Sequence, residues 1–240
     1  MLGLTVGMTI ACIGAVYLGA TVQASIGIGL GMISSPVLAI ADPDFIPVAI
    51  MLAVIPMTVT IAWADRHHVV RRDVGFALLG RLPGVVLGAL VVAALSDRVL
   101  AVLVAASVLF AVVVSFSGHK FHPSDGSLVV AGLASGFAGT TTGVGGPPMA
   151  LAYQHSDPAR MRSTLSVFFA IGAVMSLTAL ALAGQVGTRQ VELTALILPS
   201  VGAGVFTARR IQHRLNTDIV RPAVLVLCTI TSIALLVETF

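Results

Sequence analysis

The most constraining feature of this 240-residue sequence is a series of long stretches without a single charged side chain. They span residues 1–41, 45–64, 82–96, 99–118, 127–154, 163–188, 193–208 and 222–237, and residues 74–80 extend the third across Arg81. A helix that crosses a bilayer needs about 20 apolar residues, because each residue advances it by about 1.5 Å. A membrane β-barrel would instead show short alternating segments. The sequence therefore predicts a single all-α polytopic membrane domain over residues 1–240.

The composition excludes most other classes of protein. Only 10% of the residues are charged and 57% are hydrophobic, whereas about a quarter of the residues of a soluble domain are charged. A cytosolic enzyme, a disordered tail and a nucleic-acid-binding protein are therefore excluded, and the lipid bilayer is the expected partner. The sequence contains no phosphate-binding loop of the Gly-x4-Gly-Lys-Ser/Thr type. No cofactor or metal is expected.

The two halves of the chain resemble each other weakly. Gly27 and Gly29 recur as Gly143 and Gly145 at an offset of 116 residues. At the same offset, Pro83 recurs as Pro199, Gly88 as Gly204 and Arg98 as Arg214. Each half contains a glycine-broken run, an Asp-Pro turn and then three apolar spans. We expect two repeats, over residues 11–124 and 127–240; chance matching among glycine-rich helices is the alternative.

The distribution of basic residues predicts how these repeats cross the membrane. If all eight stretches are simple crossings, the basic residues divide almost evenly between the two sides. If each broken run enters and returns on one side, the second repeat is inverted. Nine basic residues then lie on one side of the membrane and two on the other. This bias is the positive-inside pattern. It predicts a multi-pass protein of the cell inner membrane with loops 66–72, 119–122, 155–162 and 209–214 in the cytoplasm and both termini outside. The exact number of full crossings stays open.

The two glycine-broken runs are the candidate substrate site. Backbone inside a membrane unwinds only beside protein or a water-filled cavity, and a helix that starts there presents free N–H groups to an anion. Pro147 suits the first turn of the second half-helix. The candidate substrate-binding residues are Gln23, Ser25, Gly27 and Gly29 in the first run and Thr140, Thr141, Thr142, Gly143, Gly145, Gly146 and Pro147 in the second.

Arg81 completes the candidate site because it is a basic residue inside an apolar stretch. A buried charge at membrane depth costs at least a few kcal/mol and marks a functional residue by default. The alternative is that its long side chain snorkels to the cytoplasmic headgroups. The sequence does not distinguish these two interpretations.

These motifs resemble the sulfite exporter TauE/SafE family. The most specific motif is Gly143-Val-Gly-Gly-Pro-Pro148. It is accompanied by the Gln23…Gly27-Ile-Gly29 run, by Pro36, by the His67-His68-Val-Val-Arg-Arg-Asp73 loop and by Pro83-x4-Gly88. The resemblance covers about residues 10–238 and implies transport of small sulfur-containing anions such as sulfite or sulfoacetate, with other organic acids open. The first run has Leu30-Gly31-Met32 where the second has Gly146-Pro147-Pro148, so the two halves of the site need not be equivalent.

Inverted repeats that begin with a discontinuous helix are typical of secondary transporters. We therefore expect a transporter of small anions that works by alternating access, and not an enzyme, since no nucleophile–base pair or metal-ligand set lies inside an apolar run. Proton coupling and a homo-oligomer are both compatible with the sequence. An anion channel, or a membrane protein without a transport role, is the alternative.

Overall fold

The computed structural model describes residues 3–116, 123–153, 156–212 and 217–240, and these residues form α-helices without a strand. The helices are α1 (Val6–Ile26), α2 (Leu30–Ala41), α3 (Val48–Ala64), α4 (Arg71–Ala94), α5 (Asp97–Phe116), α6 (Asp125–Thr142), α7 (Gly146–Tyr153), α8 (Pro158–Leu182), α9 (Thr188–Ile211) and α10 (Thr217–Thr239). Short 3-10 turns at Pro43–Phe45 and Arg66–His68 flank α3. The all-α prediction is confirmed for the described residues.

Seven helical segments are long and apolar enough to cross a membrane. Within the described residues they are Val6–Ile26, Pro43–Ala64, Arg71–Ala94, Asp97–Ser115, Pro158–Leu182, Thr188–Ile211 and Pro222–Thr239. Large apolar side chains such as Leu79, Leu90 and Phe110 point outward from them. A protein with an apolar exterior of this kind is solvated by lipid, so the chain is a multi-pass membrane protein.

Two short helices fold back on their predecessors and form helical hairpins. In the first hairpin, the Ser34 hydroxyl of α2 donates to the Ala15 carbonyl of α1 at 3.1 Å, and Gly19 lies against Leu30. These contacts require antiparallel helices. In the second hairpin, Ser135 of α6 donates to the Gly145 carbonyl just before α7 at 2.6 Å.

The two hairpins insert from opposite ends of the molecule. The second hairpin begins beside Arg72, which pairs with Asp125 at 2.8 Å, and it ends beside Asp73, which accepts from the Tyr153 hydroxyl at 2.7 Å. The first hairpin ends at Asp42, which pairs with Arg189. Asp42 lies before the start of α3, whereas Arg72 and Asp73 lie shortly after its end. The length of α3 therefore separates the two sets of contacts, which lie at opposite ends of the molecule.

Glycines bring the long helices unusually close. A Cβ atom at Gly80 or Gly84 of α4 would overlap a backbone carbonyl of α6, and one at Gly132 of α6 would overlap the carbonyl of Ala77. Small residues at four-residue spacing allow this approach in membrane proteins. On the other side of the molecule, Gly204 of α9 makes the same kind of contact with Ala20 of α1.

Helices from the two halves of the chain pair across the molecule. In addition to α4 on α6 and α1 on α9, the structure packs α3 against α8 and α5 against α10. The core between α1, α3 and α9 consists of buried aliphatic side chains, with Phe45 beneath them. A second core, around Phe168, Tyr153 and Met149, lies between α4, α6, α7 and α8.

Candidate functional site

Both predicted helix breaks are present. Helix α1 ends where Gly27 adopts φ = 94°, and Gly29, with φ = 149°, precedes α2. Helix α6 ends at Gly143 with φ = 73°, and α7 begins at Gly146. Residues other than glycine rarely adopt such positive φ angles, which explains why the breaks occur at these residues. Pro147 and Pro148 occupy the first turn of α7, as predicted.

The two breaks touch each other in the interior. A Cβ atom at Gly31 would overlap the carbonyl oxygen of Gly143, so the first turn of α2 lies directly against the end of α6. From the second hairpin, Gly146 faces the side chain of Ile28, with only 3.3 Å between that side chain and the position of a Cβ. The structure therefore brings the two sequence motifs into one place.

A cavity of about 50 Å³ lies where the breaks meet. Its walls come from α1–α4 and α6–α8, and its lining residues are Gln23, Gly29, Gly31, Met32, Ile50, Met51, Val54, Arg81, Gly139, Gly143, Val144, Gly145, Gly146, Phe169 and Ala173. Since one water molecule needs roughly 10–15 Å³ by this measure, the cavity has room for a few waters or for a small polyatomic ion.

Arg81 is the charged residue of this lining, and its side chain is only 3% exposed. Its Nη1 donates to the Ser135 hydroxyl at 3.2 Å, and its guanidinium lies 4.8 Å from the centre of the Phe168 ring. Space for it comes from glycines of the neighbouring helices, because a Cβ at Gly172 would overlap the guanidinium. The buried position excludes the snorkelling interpretation.

No carboxylate of the described residues compensates the charge of the Arg81 guanidinium. Within the described residues, its Nε has no hydrogen-bond acceptor and its side chain has no carboxylate partner. The carboxylates of the nearby helix ends are engaged elsewhere: Asp65 pairs with Arg162 at 2.8 Å, and Asp73 with Arg160 at 3.3 Å. A buried cation without a partner is costly, so the cavity favours an anion.

Neutral hydrogen-bond donors complete the cavity. The Gln23 side chain uses its amide oxygen to accept from the N–H of Leu30 at 2.9 Å, which leaves its NH2 group as a donor. The Ser135 hydroxyl donates to the Gly145 carbonyl, so this carbonyl points towards Ser135. Since the C=O and N–H of a planar trans peptide point in opposite directions, the N–H of Gly146 points away from Ser135.

The chain matches one family of known proteins over most of its length. The family model described as "Sulfite exporter TauE/SafE" matches residues 11–235, which include both breaks and Arg81. The chain belongs to the TauE/SafE family. A curated protein of Cupriavidus necator named as a probable sulfite/organosulfonate exporter TauE is 28% identical over 209 residues, 80% of this chain and 79% of that protein. No solved structure matches the chain.

Six of the twelve predicted site residues line the cavity of this TauE/SafE protein, and six do not. Those around the cavity are Gln23, Gly29, Arg81, Gly143, Gly145 and Gly146. The hydroxyls of Ser25, Thr141 and Thr142 bond to carbonyls of their own helices, and that of Thr140 pairs with Ser176 at 2.8 Å. Gly27 packs against Arg162, and Pro147 is buried beyond the lining. A hydroxyl within a helix has a carbonyl four residues earlier within reach, which explains why the hydroxyls of Ser25, Thr141 and Thr142 turn away from the cavity.

The sequence analysis missed three residues that hold Arg81 in place in this TauE/SafE protein. Ser135 and Gly172 contact the guanidinium directly, and Phe168 lies beneath it. Ser135 lies ten residues before Gly145, inside an apolar stretch, and this spacing across a hairpin was a usable signal. Gly172 and Phe168 gave no signal, because their role arises from packing between helices that are distant in the sequence.

Proposed function

We propose that this protein is a secondary transporter that moves small sulfur oxyanions, sulfite or an organosulfonate, across the bacterial inner membrane. The observation that carries the proposal is the buried Arg81 guanidinium, which pairs with no carboxylate of the described residues and lies beside the cavity where two broken helices meet. Membership of an exporter family and the name of the Cupriavidus necator relative support the substrate class.

In this proposal the anion occupies the cavity and replaces the missing counter-charge of Arg81. One oxygen accepts from the guanidinium, and others accept from the Gln23 NH2 group and from N–H groups at the start of α7. Pro147 and Pro148 have no N–H, so Gly145 and Gly146 supply the backbone donors at this end. Sulfite has only four non-hydrogen atoms and suits a small cavity, whereas a larger sulfonate requires the hairpins to separate.

We also propose that the chain consists of two inverted repeats, with α1–α5 corresponding to α6–α10. The reciprocal packing supports this correspondence: α4 lies on α6 while α9 lies on α1, and α3 and α5 each pack against their counterpart. The equivalent glycines Gly88 and Gly204 each contact the first helix of the opposite repeat. Insertion of the hairpins from opposite ends also agrees with an inversion.

Alternating access follows from this arrangement if each end of the site opens in turn. We call the end of the molecule that carries loops 66–72 and 155–162 the basic-loop end. There, Arg162 links α8 to Asp65 and donates to the Ser25 carbonyl of α1 at 3.4 Å. At the other end, Arg189 links α9 to Asp42 and Asp44. We assign the basic-loop end to the cytoplasm by the positive-inside rule. Loop 119–122, residue 155 of loop 155–162 and residues 213–214 of loop 209–214 lie outside the described residues.

Uptake into proteoliposomes tests the proposed function. We expect saturable, counterflow-competent uptake of labelled sulfite by the unaltered protein, which a channel would not show. Arg81→Gln should reduce the apparent affinity about ten- to a hundredfold, because a hydrogen bond to a charged group contributes about 1.5–3 kcal/mol. Arg98→Gln, which removes an exposed arginine at the start of α5, is the matched control. Sulfite uptake that survives Arg81→Gln with unchanged affinity would contradict the proposed site.

A further inference from the structure

The cavity contains one positive charge and no other ionisable side chain among the described residues that line it. Its remaining wall consists of glycine backbone, apolar side chains and the neutral amide of Gln23. Among the residues that line the cavity, Arg81 therefore provides the charged side chain that a bound anion contacts.

Apart from Arg81, the ionisable groups of α4, α6, α7 and α8 and those that follow α3 lie at the basic-loop end. On α1 and α2 the ionisable groups are the buried Cys12, Tyr17, which hydrogen-bonds to Thr207, and Asp42, which pairs with Arg189 at the opposite end. Tyr153 of α7 and Arg160 of α8 both bond to Asp73 of α4, and Arg162 of α8 bonds to Asp65 at the end of α3. Among the described residues, the remaining ionisable groups at the basic-loop end are Asp125, paired with Arg72, Asp157, which caps α8, and the exposed residues Arg66, His67, His68, Arg71, Arg209 and Arg210. None of these groups lines the cavity.

A single buried cation distinguishes anions by their charge. A monoanion beside Arg81 gives a neutral pair, whereas a dianion leaves one net negative charge in a site that offers no second cation. Burial of an uncompensated charge is strongly unfavourable. Near neutral pH, sulfite in water is a mixture of the monoanion hydrogensulfite and the dianion.

We propose that the site takes monoanions, namely hydrogensulfite or a singly charged sulfonate, and rejects sulfite dianion and sulfate. This inference rests on the proposed function and defines the charge class of its substrate. It also makes the substrate the proton carrier: hydrogensulfite crosses intact and dissociates into sulfite dianion and one proton on the more alkaline side. No carboxylate relay between the cavity and either end is then needed.

Two ligands of matched shape test the charge rule. Methanesulfonate and sulfate each have four non-hydrogen atoms arranged around sulfur, and they differ by one negative charge. We expect methanesulfonate to compete with labelled sulfite for uptake into proteoliposomes at least about tenfold more strongly than sulfate does. Equal or stronger competition by sulfate would overturn the proposal.

The pH dependence of binding to the purified protein provides the second test. Apparent affinity for total sulfite should fall as the pH rises above neutrality, and by about tenfold for each pH unit once the dianion predominates, because it scales with the hydrogensulfite fraction. Affinity for methanesulfonate should stay constant over the same range. A parallel fall for methanesulfonate would place the titrating group in the protein and overturn the inference. If sulfite binds with constant affinity, the inference fails while the proposed function stands; if neither ligand binds, both fail.

Discussion

The Ser135 hydroxyl accepts a hydrogen bond from Nη1 of Arg81 at 3.2 Å and donates its own proton to the Gly145 carbonyl at 2.6 Å. One side chain therefore orients both the cation and the peptide plane at the start of α7. Ser135 itself is completely buried. This single hydroxyl therefore fixes the position of the Arg81 guanidinium relative to the backbone at the start of α7, the two anion-binding elements of the proposed site.

Removal of that hydroxyl should weaken binding without unfolding the protein. We expect Ser135→Ala to raise the KM for sulfite about tenfold, since one hydrogen bond to a charged group is lost and the Gly146 N–H is freed to turn. The rate at saturation should change little, which separates positioning from a general loss of active protein. Ser166→Ala removes a buried hydroxyl that, among the described residues, bonds to the Arg162 carbonyl at 2.7 Å, and it serves as the control. A KM equal to that of the control would show that Ser135 does not position the site.

The space at Gly172 should be as important as the charge that occupies it. A methyl group at this position overlaps the guanidinium, so Gly172→Ala should displace Arg81 and lower sulfite uptake nearly as far as Arg81→Gln does. Gly202→Ala is the control, because a Cβ at Gly202 meets no atom within 4 Å. Uptake by Gly172→Ala should be compared at equal amounts of monodisperse protein in the detergent. Normal uptake by that variant would mean that Arg81 works from another position.

The features that the sequence predicted correctly are those that depend on local chemistry. Gly27 and Gly143 break their helices because positive φ angles favour glycine, and Arg81 is conspicuous because charge is costly in an apolar run. The threonines at 140–142 are predicted as ligands because they lie in the broken run and carry hydroxyls. In the structure their hydroxyls bond within α6 or to α8, and a sequence does not indicate which way a helical hydroxyl turns. The positions of Ser135 and Gly172 against Arg81 depend on which helices pack together.

Close packing of α4 on α6 predicts an asymmetric response to the same substitution at two glycines. A Cβ at Gly84 overlaps the Leu133 carbonyl, whereas one at Gly75 of the same helix meets no atom within 4 Å. Overpacking typically costs about 1–3 kcal/mol. Gly84→Ala should therefore lower the thermal unfolding midpoint in detergent, followed by circular dichroism. Gly75→Ala should leave it unchanged or raise it, since alanine favours helix. A Gly84→Ala protein as stable as Gly75→Ala would contradict the close contact.

The proposed membrane orientation makes a prediction about the two ends of α4. Arg71 and Ser96 flank this helix, and both are exposed. In intact bacterial cells, a membrane-impermeant maleimide should label Ser96→Cys directly and Arg71→Cys only after the membrane is permeabilised. The native cysteines Cys12 and Cys228 are fully buried, so they should add little background. Labelling of the unaltered protein, which has only these two native cysteines, measures that background. Labelling of Arg71→Cys in intact cells, with Ser96→Cys protected, would reverse the orientation and place the basic loops outside.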